Sequence, residues 1–264
     1  MNVIVITGAS SGIGKEFARQ MDRHFTNIDE FWLIARDREK LKNTADKMHH
    51  KTRIFSMDIT KDAQLERLED TLAEKNAVVR MLVNCAGYGL MGAFETQDRE
   101  GALGMVRVNC EALTNITHRL IPYMRRGSRI IQLASSAAFL PQTYFAVYAA
   151  TKSYVLSFSR ALGEELREKG IFVTSVCPGP VDTPFFEIAE KTGSTLAIKK
   201  YTMVKADRVV AKALRDSYHK RTMSVCSLPI QLFELSTKWI PHTVLLRGMT
   251  LLKKLQEKGS SSQN

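Results

Sequence analysis

Residues 3–14 read Val3-Ile4-Val5-Ile6-Thr7-Gly8-Ala9-Ser10-Ser11-Gly12-Ile13-Gly14. A short β-branched run breaks into a glycine loop, and Phe17, Ala18 and Met21 then fall on one helical side. Strand, glycine turn and helix in this order let backbone N–H groups close on an anion, and the helix N-terminus adds a partial positive charge. Gly8 permits the tight turn, Gly12 lets phosphates come close, and Gly14 lets helix and strand pack tightly. The spacing is Gly-x-x-x-Gly-x-Gly, which differs from the Gly-x-Gly-x-x-Gly fingerprint. A glycine cluster also serves plain turns. Its place between a buried strand and a helix favours a bound dinucleotide pyrophosphate.

Outward from this stretch, β-branched runs alternate with longer helical patterns. Strands are expected at Val3–Ile6, Phe31–Ile34, Arg53–Ser56, Met81–Val83, Arg129–Leu133 and Phe172–Val176, with helices near 13–23, 38–48, 61–75, 99–124 and 147–169. Such alternation predicts an α/β fold: a doubly wound parallel sheet of Rossmann type, in three αβα layers. Neither an internal repeat nor a linker interrupts residues 1–264, so one domain is expected, with a frayed end at 259–264.

The 264 residues are 44% hydrophobic and 25% charged, which excludes a disordered, collagen-like or small disulfide-stapled chain. The net charge of +11 fits anionic partners such as nucleic acid, a phosphorylated cofactor or a membrane surface; a solvated basic face explains it equally. No zinc finger, RNA-binding motif or concentrated basic run supports nucleic acid. Cys85, Cys110, Cys177 and Cys226 are widely spaced, so free thiols in a reducing compartment, without disulfides or zinc, are expected. Met1-Asn2 runs straight into the first strand, with no signal core, and no apolar stretch reaches the ~18 residues of a spanning helix. A cytoplasmic location follows as an expectation.

Tyr148 and Lys152 stand at i and i+4 on a predicted helix and share a face. A phenol normally titrates near pH ~10 and exchanges protons near neutrality only if its anion is stabilised. An ammonium within ~4–6 Å favours the phenolate. A shift of ~3 units needs about 4 kcal/mol, the order one nearby cation supplies at an effective dielectric of about 20. The pair is therefore sufficient for general acid–base work, although Tyr-x-x-x-Lys also arises by chance.

Thr-Gly-x-x-x-Gly-x-Gly at the start, Asn84-Cys85-Ala86-Gly87, Asn109, Ser135, Tyr148, Lys152 and Pro178-Gly179 occur in one order. Over roughly residues 1–225 the chain resembles the short-chain dehydrogenase/reductase family. The resemblance implies hydride transfer between a nicotinamide and a carbonyl or alcohol. Tyr148 would be the acid–base, Ser135, rather than its neighbour Ser136, would hold the substrate oxygen, and Asn109 would support a water linked to Lys152. Asn109 also reads as a mid-helix residue satisfied locally. Implied cofactor contacts are the loop from Gly8 to Gly14 with Ser10, Ser11, Gly12 and Ile13; Asp58 and Ile59 near the adenine; Asn84, Ala86 and Gly87; and Pro178, Gly179, Val181 and Thr183 at the nicotinamide. Cys85 stands where the family has a second Asn. Tyr148 and Lys152 would also touch the cofactor, Lys152 at the ribose. Ala35 replaces the carboxylate of NAD-specific enzymes, and Arg36 can fork onto a 2′-phosphate, so NADP(H) is favoured over NAD(H). Ser11, where many NADP-using relatives carry a base, and the acid Asp37 argue the other way. No metal is implied.

Ligands in this architecture sit beyond the carboxyl ends of the strands. Walls are expected from Tyr88–Phe94, Ala137–Phe145 and a lid at 185–201. Tyr88, Phe139, Tyr144 and Phe185 would contact a bulky apolar ketone, aldehyde or alcohol such as a steroid or lipid. From about 229 to 258 the chain is amphipathic, and Pro241 splits it into two helical pieces. That tail suits the pocket, a second subunit or a membrane surface. Family resemblance implies a homo-oligomer. A catalytically silent NADP(H)-binding regulator on the same fold is the alternative function, which an intact Ser135, Tyr148 and Lys152 set argues against.

Overall fold

The computed structural model describes residues 1–189 and 203–247. Its strands are β1 (Asn2–Thr7), β2 (Glu30–Ala35), β3 (Thr52–Ser56), β4 (Val78–Asn84), β5 (Arg129–Leu133), β6 (Phe172–Val176), β7 (Val181–Asp182), β8 (Val204–Lys205) and β9 (Met223–Ser224). The helices are α1 (Gly12–His24), α2 (Arg38–Ala45), α3 (Asp62–Glu74), α4 (Arg99–Val106), α5 (Leu113–Leu120), α6 (Ala146–Glu165), α7 (Phe185–Ala189), α8 (Ala206–Tyr218) and α9 (Leu228–Trp239).

Seven strands form one parallel sheet in the order β3-β2-β1-β4-β5-β6-β9, while β7 and β8 make a separate parallel pair. Both faces of the main sheet are covered, so its strands are apolar without alternation. Val3 and Val5 look one way, toward Leu65, Leu68 and Leu72 of α3 and Ile116 of α5. Ile4 and Ile6 look the other way, toward Phe17 and Met21 of α1 and Val210 of α8. Full burial of each such side chain contributes about 1.5–3 kcal/mol before entropy is counted.

Strand order reverses beside β1: β2 and β3 lie on one flank, and the chain returns to place β4 on the other. A crevice therefore opens at the carboxyl ends of β1 and β4, where Thr7 is in register with Asn84.

Several expectations change. The helix expected at 99–124 is α4, a π-helical segment Arg107–Ala112, α5 and a single 3₁₀ turn Ile121–Tyr123. Pro122 in that last turn cannot donate to a continuing helix. Helix α8 lies outside the expected helices, yet its Val209, Val210 and Ala213 pack on the sheet. Strand β9 is too short for any alternation to show. A second helical piece follows Pro241 and is described from 242 to 247; the rest of the expected tail, and residues 190–201 of the expected lid, lie outside the described residues.

Candidate active site

The glycine turn shapes one side of the crevice. Gly8 and Gly12 have φ of 68° and 51°, in the left-handed region that favours glycine. A Cβ on Gly8 would stand 2.8 Å from the Ala86 nitrogen, and one on Gly14 would collide with the Gly8 carbonyl. The Thr7 hydroxyl, which the sequence reading passed over, accepts hydrogen bonds from the Cys85 and Ala86 N–H groups, both 3.1 Å. It stitches the ends of β1 and β4 under the turn. Across the crevice, a Cβ on Gly12 would be 3.4 Å from the Thr183 side chain.

From this turn a single cleft of about 1510 Å³ runs over the strand ends. It is lined by Gly8, Ser10, Ser11, Gly12, Ile13 and Gly14. Arg36, Asp58 and Ile59 line one end, with Lys40 and Lys61, which were not anticipated. Ala86 and Gly87 lie at the middle, and Pro178, Gly179, Val181 and Thr183 farther along. Asp37, the acid feared to repel a phosphate, caps α2 by accepting from Lys40 N–H at 3.0 Å. Burial works to raise the Asp58 carboxyl, but hydrogen bonds from the Thr60 backbone and hydroxyl, with help from Arg36, hold it below the usual carboxylate range.

Asn84 does not line the cleft. It is buried beneath, donating from Nδ2 to Thr117 Oγ1 and Gln132 Oε1, each at 3.0 Å. It thus ties β4 to β5 and α5. Asn109 is likewise a clamp. Its Oδ1 accepts from Tyr88 N–H at 3.1 Å, while Nδ2 donates to Tyr88 O at 2.9 Å and Thr151 Oγ1 at 3.0 Å. Thr151 in turn donates to Tyr148 O at 2.7 Å. Its partners lie 21 and 42 residues away, so the local reading of Asn109 does not describe its side chain; the π-helical segment carries it to the loop after β4.

Ser135, Tyr148 and Lys152 meet in the cleft. β5 ends just before Ser135, whose hydroxyl accepts from Ala137 N–H at 3.1 Å. Tyr148 and Lys152 share the inner face of α6, only 7% and 4% exposed. Lys152 Nζ donates to Leu133 O at 2.7 Å and lies 5.6 Å from the Tyr148 ring centroid. Here the electrostatic expectation needs correction. Burial pushes the Tyr148 phenol up to about 12, against the opposing Ser135 hydroxyl. Burial also pulls the Lys152 ammonium down to about 8. Desolvation penalises charge on both groups in the protein alone.

Beyond this trio the cleft becomes apolar. Phe145 stacks on Tyr148 at 4.2 Å between centroids, and Phe185 tilts against it at 5.4 Å. Tyr88 and Phe185 line the cleft, with Phe145 and Phe186 from the expected walls, joined by Ile230 and Phe233, which lay outside those walls. Two expected contacts are elsewhere. The 3₁₀ turn Ser136–Ala138 carries Phe139 away from the cleft into a core with Val155 and Ile230. Tyr144 sits at a left-handed turn (φ 61°) and is 47% exposed. Loop paths of this kind leave no periodic trace in sequence. Ile230 and Phe233 carried a signal in the amphipathic tail, but nothing there fixed which face turns inward.

Comparison with known proteins agrees with this geometry. The short chain dehydrogenase family model matches residues 2–193. An uncharacterized oxidoreductase of Staphylococcus epidermidis is 31% identical over 187 residues, covering 70% of this chain and 80% of that protein. A 3-dehydrosphinganine reductase of Danio rerio is 34% identical over 199 residues, covering 72% of this chain but only 59% of that protein. A short-chain dehydrogenase of Sphingobium yanoikuyae, solved in complex with NADPH, superposes with a TM-score of 0.76 at 26% identity, over 98% of this chain and 96% of that one. By sheet order, glycine turn and sequence match together, the chain belongs to the short-chain dehydrogenase/reductase family of oxidoreductases.

Proposed function

We propose that the protein is an NADP(H)-dependent oxidoreductase that interconverts a ketone or aldehyde and its alcohol on a bulky apolar substrate. One observation carries this reading: Ser135, Tyr148 and Lys152 stand together where the glycine-lined half of the cleft meets its aromatic half.

The cleft fits a phosphorylated dinucleotide. The space a Cβ would fill at Gly8 and Gly14 is taken by backbone, so the tight turn and the close helix–strand packing of a dinucleotide-binding loop both need glycine there. Arg36 is exposed at the cleft edge and makes no ion pair among the described residues, so its guanidinium is available to a 2′-phosphate. Asp58 and Ile59 would hold the adenine, Pro178 to Thr183 the nicotinamide, and Lys152 the ribose. Bound there, the cofactor supplies or accepts the hydride. A solved relative holding NADPH and a relative named as a 3-dehydrosphinganine reductase support the same reading.

Tyr148 supplies the proton. A phenol raised to about 12 is protonated at neutral pH, which is the form needed to donate to a carbonyl oxygen during reduction. Ser135 Oγ would hold that oxygen beside it, and Phe145 and Phe185 exclude water from the transfer. For alcohol oxidation the same phenol would act as the base after losing its proton.

The test is a panel of sterol, long-chain and cyclic ketones, followed by loss of reduced-nicotinamide absorbance with NADPH and NADH side by side. Turnover with a preference for NADPH is expected. Tight NADPH binding without turnover of any carbonyl or alcohol would replace this reading with the silent regulator.

A further inference from the structure

Helix α9 has two working faces. Ile230 and Phe233 turn inward and line the cleft. Ile230 packs so closely on the segment after β6 that a Cβ on Gly179 would stand 3.0 Å from it. On the opposite face stand Leu228, Leu232, Leu235 and Trp239, spaced four, three and four residues apart, which puts them in one narrow stripe. All four are exposed, Trp239 by 83%. Ile240 and Val244 extend the apolar surface past the helix end. Four large apolar side chains in a row, left in water beside a substrate cleft, mark a surface that something covers.

We propose that this stripe docks the protein on an anionic lipid bilayer, so that the wall of the cleft rests against the membrane. Charge selects that occupant. From residue 228 to the end the sequence carries Lys238, Arg247, Lys253, Lys254 and Lys258 against only Glu234 and Glu257. The Glu234–Lys238 pair, at 2.6 Å, removes one charge of each sign, which leaves Arg247, Lys253, Lys254 and Lys258 against Glu257 in the sequence. In a two-fold dimer the same patch would meet itself, and like charges would oppose each other. An anionic surface instead gains from every cation, while leucines and an indole enter the headgroup boundary. The helix lies along the surface; among the described residues no helix is long and apolar enough to cross a membrane. That a membrane-dissolved apolar carbonyl compound would reach the cleft this way rests on the proposed function; the docking itself does not.

The experiment uses the full chain with vesicles of phosphatidylcholine alone and of phosphatidylcholine mixed with phosphatidylglycerol. Co-sedimentation with the mixed vesicles is expected, with weaker binding to the neutral ones and at high salt. The chain has two tryptophans, and Trp32 is fully buried, so a blue shift of the emission on binding reports Trp239. The double variant Leu232→Ser, Leu235→Ser, which alters only exposed side chains and keeps Trp239, is expected to bind mixed vesicles on the order of tenfold more weakly. Its melting temperature and its turnover of a water-soluble ketone should match the parent. The proposal fails if the parent does not sediment with the mixed vesicles, if the double variant binds as well as the parent, or if light scattering shows a parent dimer that the variant dissociates without lipid. Absent ketone turnover by the parent would remove the proposed function and leave the vesicle result standing.

Discussion

Lys152 sits over the ring face of Tyr148, 5.6 Å from its centroid, and spends a hydrogen bond on Leu133 O rather than on the phenol. Two buried groups so placed titrate in opposite directions from their ordinary values, and this writes a signature into stability. Lys152 falls from 10.5 to about 8 on folding, so the folded protein binds fewer protons than the unfolded chain between those values. Stability therefore rises with pH across that window. Tyr148 rises from 10.0 to about 12, so its contribution is present below pH 10 and is lost as pH climbs toward 12. Replacing Lys152 with Met removes a buried charge cost of about 3 kcal/mol at pH 7 and forfeits a hydrogen bond worth about 1 kcal/mol. Lys152→Met is expected to be more stable than the parent at pH 7 and to lose that advantage by pH 10. Urea midpoints at the two pH values measure it; an equal gap at both would refute the burial argument.

Tyr148→Phe keeps the ring and its stack on Phe145 while deleting the hydroxyl. Under the proposed mechanism turnover should fall by about 10²–10⁴-fold. NADPH binding, followed by its fluorescence, should stay within a factor of about two, because the change leaves the glycine turn and Arg36 untouched. Undiminished turnover would take the proton-donor role away from this residue.

Arg36→Ala tests the cofactor preference. A charge-assisted contact to a 2′-phosphate is worth about 1.5–3 kcal/mol, so KM for NADPH should rise roughly 10- to 100-fold. KM for NADH, which has no such phosphate, should barely move. Equal effects on both would leave Arg36 as a solvated loop cation.

What the sequence disclosed and what it hid divide along physical lines. The glycine turn was legible from its place between strand and helix, and the shared helix face of Tyr148 and Lys152 from their spacing, whereas Ser135 was singled out by the family resemblance. The five inner strands were legible because both their faces are buried, leaving short runs rich in β-branched and other apolar residues. Phe139 and Tyr144 were misplaced because the path of the loop between β5 and α6 depends on tertiary contacts that no period encodes. Val209, Val210 and Ala213 did carry a helical period, obscured by the basic residues interleaved with them. Acid–base strength was the least legible property: spacing gives the distance between Tyr148 and Lys152 but not how deeply both are buried.

Asn109 extends this to a residue that acts through others. It joins the loop after β4, through Tyr88, to α6, through Thr151, and both it and Lys152 Nζ lie against Gly87, at 2.8 and 3.6 Å from where a Cβ would stand. Asn109→Ala leaves the Tyr88 backbone and the Thr151 hydroxyl short of partners and should cost about 1–3 kcal/mol. Asn109→Asp keeps the acceptor for Tyr88 N–H but sets a carboxylate beside the lysine. An anion there favours the ammonium, so the Lys152 pKa should rise from about 8 toward its ordinary value. The stability gain between pH 8 and 10 should then shrink in Asn109→Asp but persist, on a lower baseline, in Asn109→Ala. Paired denaturation curves at pH 7 and 10 separate the two; if both variants only lowered the baseline by the same amount, Asn109 would be a structural clamp with no electrostatic hold on Lys152.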